Sequence, residues 1–123
     1  MKKLLKIVLV SSITLLFFSC YYDELPEVIL EDIPEGTVIS FANDITPIFA
    51  TYNCTLCHNA NGQNPDLTPG SEYNNLVPAY VSAGNSAASE LYTQLNGSGN
   101  HLSVNGNELQ LIAKWINDGA ENN

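Results

Sequence analysis

The apolar and polar positions divide the chain into one unbroken apolar run, several helical stretches and long polar connections. Residues 7–18 are apolar except for small Ser and Thr, and Lys2, Lys3 and Lys6 precede them. That run suits the core of an export signal and is too short to span a bilayer. Further on, Ile45, Ile48, Phe49 and Tyr52 recur at helical spacing, with Asn43 or Asp44 as N-cap. Pro47 falls in the first turn, where a missing N–H does no harm. A short helical turn is expected over 71–76. A longer helix is expected over 85–96, capped by Asn85 or Ser86, stopped by Asn96-Gly97, and apolar along Leu91, Tyr92 and Leu95. The last helix has the clearest pattern. Asn105 and Glu108 resemble a capping box, with Leu109, Ile112, Ala113 and Ile116 on one face, Leu111 and Trp115 beside them, and Gly119 as the stop. There is no alternating strand pattern and no internal repeat. The expected fold is all-α, with three to four short helices joined by loops rich in Gly, Pro and Asn.

The apolar run ends in "FFSC", and Ser19-Cys20 resembles the lipobox of bacterial lipoproteins. In that reading Cys20 is lipidated and becomes the mature N-terminus, although Phe17 and Phe18 depart from the usual residues. The other reading is an ordinary cleaved signal with Cys20 as a spare thiol. The expected domains are a signal at 1–19, an acidic tether at 20–38 and a folded domain at 39–123. The tether stretch "YYDELPEVILEDIPEG" is acidic and carries two prolines, a composition that resists packing. It reads as a solvated spacer, or resembles the surface-export signal of some Bacteroidetes lipoproteins. Losing the signal leaves Lys114 alone against all thirteen carboxylates, a net charge of −12. Such a surface excludes nucleic acid and anionic headgroups as partners and favours a basic one. Lipid on Cys20, rather than protein charge, would hold the chain in the cell envelope.

Two of the three cysteines and one of the two histidines fall in "YNCTLCHNANG", as Cys54-x-x-Cys57-His58. This is an attachment signature for c-type haem. The two-residue gap suits two sulfurs to the two haem vinyl groups, and the imidazole that follows is a good axial ligand. The motif is expected at the end of the first helix. Three rivals exist. A redox dithiol would want the motif to open a helix within a βαβ pattern. Zinc would want a second Cys or His pair at suitable spacing. A Cys54–Cys57 disulfide would close a tiny loop and stabilise little. Adjacent cysteines cannot staple distant parts of so small a domain, so a large flat cofactor would supply the missing core.

The stretches "DITPIFATYNCTLCH", "PDLTPGSEYNNLV", "VSAGNSAASELYTQL" and "ELQLIAKWINDGA" together resemble the small class I-type cytochrome c domains of Bacteroidetes and Planctomycetes envelope proteins. The resemblance implies an all-α fold wrapped around one covalent haem c, its N- and C-terminal helices crossing near Phe49 and Trp115. It implies that Cys54 and Cys57 tether the haem and that His58 is the proximal ligand. It also implies that the Pro65 carbonyl accepts the His58 N–H and that Leu67 packs on the ring.

Such domains usually place a methionine in the loop before the last helix. Here that loop reads "NHLSVNG", with Leu102 where the sulfur is expected, and the only methionine is Met1. Three outcomes stay open: His101 as a second iron ligand, an open or water-bound position lidded by Leu102, or a weak ligand from Asn or another loop group. The functional expectation is a monomeric, envelope-anchored electron carrier rather than an enzyme, exchanging single electrons with a redox protein that has a basic docking face. The alternative is a five-coordinate haem protein that binds a small gas or peroxide, as a sensor or peroxidase-like protein.

Overall fold

The computed structural model describes residues 32–98 and 104–123. The export signal, Cys20, most of the tether, His101 and Leu102 lie outside the described residues. Within them the chain is helical, with four α-helices and no strand: α1 (Thr46–Thr51), α2 (Glu72–Leu76), α3 (Glu90–Thr93) and α4 (Gly106–Asn117). This agrees with the all-α expectation.

The first helix begins earlier than its spacing suggests. A π-helical turn, Phe41–Ile45, precedes α1, and its cap is Ser40, not Asn43 or Asp44. The Ser40 hydroxyl accepts the Asn43 N–H at 3.2 Å, and the Asp44 carboxylate accepts the Ser40 N–H at 2.8 Å. This is a reciprocal capping box with one extra residue, which the wider turn accommodates. Pro47 sits at the start of α1, as expected.

The helix expected over 85–96 is broken in two. Asn85 caps a 3₁₀ turn, Ser86–Ala88, and α3 starts only after Ser89, whose backbone is extended at φ −85°, ψ 123°. Ser89 is fully buried, and its hydroxyl accepts the Ser82 N–H at 2.9 Å and donates to Asn85 O at 2.9 Å. That side chain substitutes for helical bonding at the break. α3 then runs into a wider turn, Gln94–Ser98, which Gly97 ends at φ 83°.

α4 follows its sequence pattern closely. Asn105 caps it by accepting the Glu108 N–H at 2.9 Å, and Ile112, Trp115 and Ile116 are buried. It packs against the Phe41–Ile45 turn. The aromatic pair there is Phe41 with Trp115, centroids 5.1 Å apart, rather than Phe49 with Trp115. Phe49 is buried but lines a cavity described below. Asn123 closes the domain: its carbonyl accepts from Ala42 N–H at 3.0 Å, its side-chain oxygen from Phe41 N–H at 2.8 Å. Ile33 also packs on the core, so packing contacts begin within the stretch read as tether.

Candidate functional site

The Cys-x-x-Cys-His segment does not close α1. α1 ends at Thr51, Asn53 takes a left-handed conformation at φ 54°, and Cys54–Leu56 form a separate 3₁₀ turn. Asn tolerates that conformation better than most residues. Cys54 O then accepts two N–H groups, from Cys57 at 3.2 Å and His58 at 2.8 Å.

The carbonyls that follow are all taken up by the chain just beyond. Thr55 O and Leu56 O accept the Asn59 side-chain amide, at 3.0 and 3.3 Å. Cys57 O accepts Gln63 N–H at 2.7 Å, His58 O accepts Leu67 N–H at 3.0 Å, and Asn59 O accepts Gly62 N–H at 2.8 Å. The Asn59 side-chain oxygen accepts Asn61 N–H at 3.1 Å. Gly62 is dictated by space, because a Cβ there would lie 2.2 Å from the Cys57 carbonyl oxygen. The carbonyls of Cys54 to Asn59 are thus all engaged, which fixes the backbone of the turn. Sequence reasoning passed over Asn59 and Gly62. An Asn followed three residues later by Gly is a turn signal that would have pointed to them.

Cys54, Cys57 and His58 all line one cavity of about 450 Å³, within the size range of cofactor sites. Its apolar wall includes Phe49, Leu67, Leu76, Leu91, Leu95 and Val104. His58 Nδ1 lies 3.1 Å from Pro65 O, the contact that the resemblance implied. A carbonyl only accepts, so Nδ1 is the donor in this contact, and in a neutral imidazole Nε2 is then the nitrogen that can ligate a metal. Leu67 is buried and lines the same cavity. Both thiols are free, Cys54 half-buried and Cys57 exposed. Burial pushes the Cys54 thiol up from its ordinary value, opposite to the depressed pKa of a redox-active dithiol. Among the described residues no three His, Cys, Asp or Glu side chains gather as a metal site.

Tyr52, two residues before Cys54, joins this wall to α4. Its hydroxyl donates to the Glu108 carboxylate at 2.6 Å and accepts Asn105 N–H at 2.9 Å. The capping box expected at α4 is therefore completed through Tyr52: Glu108 reaches the phenol, and the phenol reaches the Asn105 N–H. The Glu108 hydrogen bond raises the Tyr52 pKa most, the Asn105 N–H opposes it, and burial and the Glu108 charge add to the rise.

Compared with known proteins, the chain matches no family model, no curated protein and no solved structure.

Proposed function

We propose that this protein is a monohaem c-type cytochrome that carries single electrons between redox partners in the cell envelope. One observation carries the reading: the two thiols of Cys54-x-x-Cys57 and the His58 imidazole line the same mainly apolar cavity, with His58 Nδ1 against Pro65 O at 3.1 Å. The residues fit the group. Cys54 and Cys57 would tether haem c, and His58 would ligate the iron through Nε2. The Pro65 carbonyl holds the imidazole in one tautomer and raises its basicity. Leu67 and the other apolar side chains would give the group an apolar surrounding suited to outer-sphere electron exchange. When bound, haem c supplies a one-electron couple whose potential depends on its axial ligands and surroundings. The acid-rich chain suits a basic redox partner, with an encounter rate that falls as salt rises. Lipidation at Cys20 would hold the carrier at the membrane.

The test is expression of the full chain with c-type maturation machinery. Denaturing gels and mass spectrometry would then follow haem retention, and spectra of the reduced protein would be taken with and without CO. Haem that survives denaturation in the wild type and is lost in Cys54→Ala/Cys57→Ala supports the proposal. A protein that matures without covalent haem overturns it. Rapid CO uptake by the reduced protein would instead favour the five-coordinate, ligand-binding alternative over pure electron transfer.

A further inference from the structure

We propose that Asn59 and Gly62 are positioning residues that set Cys57 for covalent attachment, so that the bond at Cys57 depends on them while the bond at Cys54 does not. The inference rests on the haem reading above and deepens it. The two cysteines are held differently. Cys54 is half-buried in the cavity wall, whereas Cys57 is exposed. Its neighbour Leu56 is 78% exposed and offers Cys57 no packing. Side-chain packing therefore helps to aim Cys54 and does little to aim Cys57, whose direction comes from its backbone.

That backbone is fixed at three points. The Cys57 N–H donates to Cys54 O at 3.2 Å, and Cys57 O accepts Gln63 N–H at 2.7 Å. The same carbonyl oxygen lies against Gly62, where a Cβ would sit only 2.2 Å away. Asn59 holds the turn from the other side. Its amide reaches the carbonyls of both residues that separate the cysteines, and its oxygen takes Asn61 N–H from the returning loop. One side chain thus ties the spacer between the sulfurs to the loop that fixes Cys57.

The chemistry explains why this matters. At each cysteine the S–H bond and a vinyl π bond break. A C–S bond forms at the carbon next to the ring, and the hydrogen goes to the terminal carbon. The addition is redox-neutral and has no leaving group. Two such additions to one rigid macrocycle need a fixed distance between the sulfurs. A loosened spacer misplaces the sulfur that only the backbone holds.

The experiment uses the full chain, matured with haem, as wild type, Asn59→Asp and Gly62→Ala. Asn59→Asp keeps the acceptor for Asn61 N–H and removes the donor to Thr55 O and Leu56 O. Thiol alkylation with peptide mass mapping reads each cysteine separately, and the reduced pyridine–haem spectrum distinguishes one thioether from two. The expected result is haem still bound through Cys54, with a several-fold rise in alkylatable Cys57 and a red-shifted band. Cys57 as fully blocked in the variants as in the wild type overturns the inference. Equal loss at both cysteines also overturns it, because the brace would then serve the whole turn. If Gly62→Ala does not accumulate, Asn59→Asp decides alone. A wild-type chain without covalent haem would sink the haem reading itself and is recognised before any variant is compared.

Discussion

The two cysteines of the motif share a turn and differ in exposure. Cys54 is half-buried and its thiol is pushed above its ordinary value of 9.0 by burial; Cys57 is exposed. The thiolate is the reactive form, and access adds to its rate. In haem-free protein at pH 8, iodoacetamide should therefore modify Cys57 several-fold faster than Cys54, read by peptide mass mapping over time. Equal rates would show that the Cys54 environment is not the one described. The sign of the pH effect on stability follows. Folding keeps Cys54 protonated where the unfolded chain would ionise, so its contribution in haem-free protein is complete below about 9 and is lost as pH rises through the raised value.

At the scale of elements, α4 was the most legible part of the chain. Its cap, apolar face and stop could be read from spacing alone, since Asn105, Ile112, Trp115, Ile116 and Gly119 act within one helix. Asn105→Ala should lower the unfolding free energy by about 1 kcal/mol, measured as a shift in the urea midpoint; no shift would mean that Tyr52 and Glu108 hold the helix start unaided. What the sequence hid was every contact made across elements. Tyr52 completes the cap of a helix 53 residues away in sequence, and no local pattern announces that. The break at Ser89 comes from bonds to Ser82 and Asn85, in a stretch whose helical propensity reads as continuous. Ser40 was overlooked as a cap because the turn after it is one residue wider than an α-turn. In the site, the Cys54-x-x-Cys57-His58 grouping was legible from short spacing, whereas the Pro65 contact was expected only from the family resemblance. Asn59 and Gly62 showed only as a turn signal, since a side chain that occupies carbonyls and a missing Cβ present no chemistry of their own.

Across the whole molecule, acids far outnumber bases. Lys114 is the one Lys or Arg among the described residues, and it pairs with Asp118 at 2.9 Å. Nothing described offers an anionic membrane a basic surface, and no helix among the described residues is long and apolar enough to cross one. In the proposed reading, lipid on Cys20 is the anchor. Cys20→Ala should move the protein from the membrane to the soluble fraction, as read by immunoblot after fractionation; retention on the membrane would rule out lipid on Cys20 as the anchor. The run from Ile45 to Pro65 carries no acid of its own; the acids that reach the cavity come from elsewhere, Glu90 in its lining and Glu108 on Tyr52.

The hydrogen bonds from Asn123 to Phe41 and Ala42 bring the start and end of the folded domain to one place. A unit whose chain enters and leaves at a single point behaves as a self-contained bead. Set into a longer polypeptide, it would leave the flanking segments side by side rather than driving them apart. The same cofactor-sized cavity can thus be carried as a portable module, with its host's architecture undisturbed.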